Sequence, residues 1–154
     1  MKVLYIEDIV TEDNLYDSIF LIGPALPAWY QQALLLLRNL KYEGSVLIPL
    51  SKEASHAENT SLEWTKTYLG EALGILFWVP KFSDVDTNDA IHFGMWVGYD
   101  GMFYGRPEDA ESPDVDCLDR FYEKETSATP SSSLKDLIGD LLDWMGEIDG
   151  ETVV

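Results

Sequence analysis

The sequence predicts an α/β sandwich built on a mainly parallel sheet. Short apolar runs rich in β-branched and aromatic residues alternate with longer stretches of helical periodicity. The runs are apolar at nearly every position, as strands covered on both faces are. At 154 residues, 46% hydrophobic and 12% aromatic, the chain can build one core and is too short for two ordinary domains.

Five segments read as strands: "KVLYI" (2–6), "SIFLIG" (18–23), "SVLIP" (45–49), "ILFWVP" (75–80) and "GMFYG" (101–105). Between them, "PAWYQQALLLLRNL" (27–40) reads as a helix, with Pro27 suited to its first turn and Gly44 to the turn beyond it. "TSLEWTKTYLGEAL" (60–73) is the second helix, capped by Thr60 or Ser61 and turning Leu62, Leu69, Ala72 and Leu73 inward. A third runs over 87–98 with Asp86 or Thr87 as its cap. The fourth, over about 133–146, places Leu134, Leu137, Ile138, Leu141, Leu142 and Met145 at helical spacing. It can close the core of the monomer or pack on another subunit. "EDAESPDVDCLD" (108–119) reads as an acidic loop and "KETSATPSSS" (124–133) as a flexible tether. No internal repeat is visible, so 1–154 is read as a single domain.

With 28 acidic residues against 10 basic, the formal charge is −18, which repels nucleic acids and anionic membranes. The same charge fits either a solvated surface or one that imitates nucleic acid for a basic protein partner. Cys117 is the lone cysteine and stands between Asp116 and Asp119, whose charge raises a thiol pKa, so it reads as structural or incidental. One Cys and two His leave no zinc ligand set, and no metal is expected. No apolar run reaches the ~18 residues of a membrane span, and no leader pattern opens the chain; it reads as cytoplasmic.

Ligands in open α/β sheets bind at the carboxyl ends of strands, where amides at helix starts are free. That rule selects "GPALPAW" (23–29), the segment after Pro49, "PKFSDVDTND" (80–89) and "GRPED" (105–109), all expected on one cleft. Gly23 and Pro24 allow a tight turn with backbone close to a ligand. With no GxGxxG and no P-loop, no dinucleotide or triphosphate cofactor is expected.

Taken together, "SIFLIGP", Trp29 followed by "AL", "YEGSVLIP", "EW" at 63–64, "ALGILFWVP", "TN…HFGMW" and "GRPEDA" resemble the nucleoside 2-deoxyribosyltransferase-like family. The match runs over about 18–119. The resemblance implies a flavodoxin-like fold, a tendency to oligomerise, and exchange or hydrolysis of a nucleoside N-glycosidic bond by a glutamate nucleophile. It places His92 where that glutamate is expected, in a segment that includes Asn88 and Asp89. It also makes Asp86 the counterpart of an assisting aspartate, Glu63 a polar pocket residue, and Gly74 a replacement for an aspartate. A carboxylate can attack an anomeric carbon and stabilise an oxocarbenium-like transition state; neutral imidazole brings no such charge.

Each candidate also has a plainer role. Asp86 can be a helix cap, Glu63 a solvated residue, Arg106 a structural cation rather than a phosphate or carboxylate ligand, and Trp29 a core residue rather than a platform for a base. Asp89 and His92, three apart on one helix face, have the spacing of a carboxylate that orients a general base. Three functions are compatible with these residues. One is a protein that binds a nucleoside, nucleotide or nucleotide-derived signal with altered or lost transfer chemistry. The second is an N-glycoside hydrolase or deoxyribosyltransferase using Asp86, Asp89 or Glu63. The third is an acidic interaction scaffold with 108–119 in its contact surface.

Overall fold

The computed structural model of the chain describes residues 1–53 and 62–152, with side chains to Ile148. Five strands, β1 (Lys2–Leu4), β2 (Ser18–Ile22), β3 (Ser45–Leu47), β4 (Gly74–Trp78) and β5 (Met102–Gly105), pair in parallel in the order β1-β3-β2-β4-β5. The helices are α1 (Glu12–Tyr16), α2 (Pro27–Asn39), α3 (Leu62–Leu69), α4 (Thr87–Trp96), α5 (Pro113–Thr126) and α6 (Leu134–Thr152). The result is a flavodoxin-like three-layer sandwich.

Every residue of β2, β3 and β4 is buried, which is why their sequences lack a polar face. Ile19, Leu21, Val46, Leu76 and Trp78 point to the layer of α2 and α6. Phe20, Ile22, Leu47, Ile75 and Phe77 point to the layer that contains α3, α4 and α5. The last helix closes this core: Leu137, Ile138 and Leu141 pack with α2 side chains and are at most 2% exposed.

From β2 the chain crosses by α2 to β3 on one side, then by α3 to β4 on the other. The order reverses at β2, so loops after β2, β3 and β4 open a crevice at their carboxyl ends. Gly23 leaves β2 against β4. A Cβ there would lie 2.1 Å from the Trp78 carbonyl oxygen, so only glycine lets the chain pass.

Several expectations need correction. Helix α5 takes in residues 113–119 of the first segment read as a loop and 124–126 of the second, which leaves 108–112 and 127–133 outside a helix. Ser112 caps it by accepting from the Val115 amide, Pro113 starts it, and Val115, Leu118 and Tyr122 bury its inner face. It ends at Ser127, in the left-handed region at φ 58°. The short α1 was also missed; its signal is a capping box in which Thr11 and Asn14 bond reciprocally. Helix α3 ends at Leu69 rather than 73, at Gly70, where a Cβ would lie 2.7 Å from the Trp96 ring. Helix α6 runs on to Thr152. The strands are shorter than expected; β1, for example, stops at Leu4, and the Tyr5 amide instead donates to Asp8 Oδ2 at 2.8 Å. The expected caps Thr60 and Ser61 lie outside the described residues.

Because the obstacle at Gly23 is a backbone carbonyl of a central strand, it cannot rotate away. Gly23→Ala is expected to destabilise the fold by about 1–3 kcal/mol, seen as a lower urea midpoint with an unchanged slope.

Candidate functional site

The crevice holds a cavity of about 90 Å³. After β2 it is lined by Gly23 and Ala25, and after β3 by Pro49 and Leu50. Leu62 and Thr65, three apart on α3, close one side, and Tyr30 comes from α2. The first two turns of α4 contribute Asp86, Asn88, Asp89 and His92. Pockets for whole drug-sized ligands measure roughly 300–1,000 Å³, so this cavity encloses one ring-sized part of a ligand and leaves the rest in the open crevice. A larger hollow along α5, between Pro113 and Lys124, is lined by exposed side chains and gathers no buried polar group.

Asp86, Asp89 and His92 recur every three residues and so share one face of α4. Asp86 caps the helix, its Oδ1 accepting from the Asp89 amide at 2.8 Å. Phe93 fixes the phase of the helix: it is 2% exposed and its ring meets Phe77 and Tyr104 edge-on at 5.2 and 5.1 Å. With Phe93 in the core, His92 is turned beside it into the cavity wall, 8% exposed.

Burial, then the negative charge of Asp86, pushes Asp89 from 3.8 up to about 7. Its Oδ2 is buried and has no hydrogen-bond partner among the described residues. Burial also pulls the His92 pKa down, against the opposing pull of Asp86, and so favours neutral imidazole. Tyr30 is held protonated, because burial raises its phenol well above the usual range and Asp89 adds to the effect. The site therefore offers a carboxyl that can give or take a proton near neutrality, a second carboxylate, and an imidazole with no fixed charge.

Gly23, Asp86, Asn88, Asp89 and His92 meet there as the sequence suggested. The other candidates do not line the cavity. Trp29 is 3% exposed, its Nε1 donates to the Pro24 carbonyl at 2.8 Å, and its ring packs on Tyr30 at 3.9 Å between centroids. It offers no free face to a base, and Pro24 serves as the acceptor that holds it. Glu63 is exposed in the first turn of α3. Arg106 has turned to α5, donating from Nη2 to Asp119 Oδ2 at 2.8 Å and from Nη1 to the Pro107 and Glu108 carbonyls. Tyr104 completes that group by donating to Asp119 Oδ1 at 2.7 Å. Gly74 begins β4, at the end of the sheet opposite the crevice, with Leu141 Cδ1 2.8 Å from where a Cβ would be. It is a packing position rather than a lost pocket acid.

Thr65 was missed by sequence reasoning. Leu62, expected to turn inward, is 53% exposed at the edge of the cavity, and Thr65 one turn on is the buried residue of the pair. The Tyr30 hydroxyl is placed by a bond to the Gly23 carbonyl at 3.1 Å, which sequence spacing does not show. In comparisons with known proteins, no family model and no curated sequence matches the chain.

Two outcomes follow from this geometry. Because its folded pKa is raised, Asp89 favours the fold fully below its unfolded value of 3.8, and that contribution is lost as pH rises through about 7. Asp89→Asn is therefore expected to be more stable than the wild type at about pH 8, by roughly 1–3 kcal/mol, with the advantage vanishing toward pH 4 in urea titrations. Arg106→Ala strands a mostly buried Asp119 and is expected to cost roughly 1–3 kcal/mol, while any ligand held at the cavity stays bound with unchanged affinity.

Proposed function

We propose that the chain binds a nucleoside, nucleotide or nucleotide-derived signal in this crevice and retains it without the glycosyl transfer of the nucleoside 2-deoxyribosyltransferase-like family it resembles. The observation that carries this reading is His92. A buried side chain with depressed basicity stands where the resemblance expects an attacking carboxylate, on the helix face that meets the cavity. Neutral imidazole supplies no negative charge to an oxocarbenium-like centre, and imidazolium would oppose one. A cavity for one ring with an open crevice beyond it suits a sugar enclosed and a base outside. Sequestering such a ligand requires affinity and no nucleophile.

One observation favours a second reading, hydrolysis of the N-glycosidic bond. Asp89, poised near neutrality with a free buried oxygen, has the properties of an acid that protonates a leaving base, and Asp86 beside it could accept a proton from water.

The two readings separate when purified protein is incubated with mixed nucleosides, deoxynucleosides, nucleotides and cyclic nucleotides, and both the solution and the protein-bound fraction are analysed by mass. The expected outcome is an intact ligand on the protein and no free base. Free base that disappears in Asp89→Asn would establish hydrolysis instead. An exchanged nucleoside would overturn the loss of transfer chemistry, and retention of nothing would leave the acidic surface as the functional feature, in contact with a basic protein.

A further inference from the structure

We infer that Phe82 is the surface on which a flat ring of the ligand stacks outside the cavity, so that the crevice selects glycosides carrying such a ring over the bare sugar. This rests on the nucleoside reading above and deepens it.

Among the described residues, three that are not glycine have a left-handed backbone: Lys41 at φ 60°, Phe82 at φ 60° and Ser127 at φ 58°. Lys41 follows the last turn of α2 and Ser127 that of α5, where a single left-handed residue is an ordinary way to close a helix. Phe82 closes no helix. It stands between β4 and α4, and a bulky residue in that conformation is an outlier that the fold keeps at a cost. Packing does not hold it there either, since Phe82 is 93% exposed. Neither the backbone nor the core accounts for a phenylalanine at this position.

The place of Phe82 does account for it. Strand β4 ends at Trp78, and Asp86, which lines the cavity, lies four residues beyond Phe82, a reach of at most about 14 Å. The Ser83 hydroxyl closes the turn by donating to the Pro80 carbonyl. Lys81 pairs with Asp109 in the loop after β5 and sets its ammonium 4.8 Å from the centre of the Phe82 ring, which braces one face and leaves the other bare. Two more large apolar side chains stand exposed around the crevice, Leu26 in the loop after β2, next to Ala25, and Leu62 at the edge of the cavity. The loops after β2 and β4 and the start of α3 thus each raise one apolar side chain there. A cavity that encloses one ring, with such side chains around its mouth, suits a ligand whose second ring is flat and lies outside. Trp29 cannot take that ring, because it is packed on Tyr30. Phe82 is the aromatic side chain with a bare face, and stacking on it tolerates any base, because every base has a π face.

The test is calorimetric titration of the full chain with the common nucleosides and deoxynucleosides and with the methyl glycosides of ribose and deoxyribose, which keep the sugar and lack the base. A nucleoside is expected to bind at least ~10-fold more tightly than the methyl glycoside, and Phe82→Ala to lose about 10-fold in nucleoside affinity, with Phe82→Trp retaining it. Phe82→Asn separates binding from folding, because asparagine accepts the left-handed backbone more readily. It should bind nucleosides as weakly as Phe82→Ala does, with a urea midpoint no lower than that of the wild type. A methyl glycoside that binds as tightly as the nucleoside, or a Phe82→Ala variant of unchanged affinity, would overturn the inference and leave the parent reading standing. A midpoint that falls in Phe82→Asn would overturn it too, by making Phe82 a part of the fold. Binding of no nucleoside by the wild type would overturn this inference and the parent reading together.

Discussion

The close passage of Gly23 over the Trp78 carbonyl fixes the geometry at the crevice. It brings the ends of β2 and β4 together at the point where strand order reverses, so the loops leaving them must separate to opposite layers. The loop after β2 is then held by the helix it starts: Trp29 and Tyr30 donate to the Pro24 and Gly23 carbonyls. Two carbonyls without strand partners are satisfied by two aromatic donors, and the same bonds aim the Tyr30 hydroxyl at the cavity. The loop after β4 instead delivers α4, whose first two turns form the opposite wall. A ring-sized cavity is what remains between two elements positioned so tightly.

Within that wall, stability and function pull in different directions. Buried polar atoms are nearly always paired, yet Asp89 keeps an oxygen without a hydrogen-bond partner among the described residues, under the field of Asp86, and His92 is buried beside it with its basicity lowered. The cost is carried by the two apolar layers around β2 and β4, where no polar side chain interrupts the packing of Phe77, Phe93 and Tyr104 on one side or Leu76, Trp78 and Leu137 on the other. The Asp89 oxygen faces the switch-point crevice, where open α/β sheets expose polar groups to solvent and ligands.

The sequence announced the layers but not every contact across them. Strands buried on both faces write themselves as apolar runs, and α2, α4 and α6 carry clear periodicity. Helix α5 escaped because its exposed face is acidic enough to read as a loop, although Ser112, Pro113, Val115, Leu118 and Tyr122 held the pattern. That one misreading carried a second with it. Arg106 looked available because Asp119, thirteen residues on, was placed in a loop instead of on the helix face that meets it. Trp29 was misjudged for another reason: its indole is committed to a carbonyl five residues back, and sequence spacing does not show which backbone oxygens a turn leaves open. Gly74 follows from strand direction, since a residue that begins a parallel strand lies at the end away from the crevice.

The helix also limits how carboxylate chemistry could survive at this site. Asp89 lies three residues before His92, or about 4.5 Å along the axis at the ordinary rise. A nucleophile displaced that far cannot attack the same carbon of a ligand seated the same way, because covalent displacement requires near contact along a fixed line. Proton transfer tolerates the displacement better, since it needs only hydrogen-bond reach, directly or through one water, rather than attack along a fixed line. The shift from His92 to Asp89 and Asp86 therefore disfavours transfer through a covalent intermediate. It leaves two chemically coherent uses of the same three side chains: holding a ligand intact, or delivering a proton and a water to it.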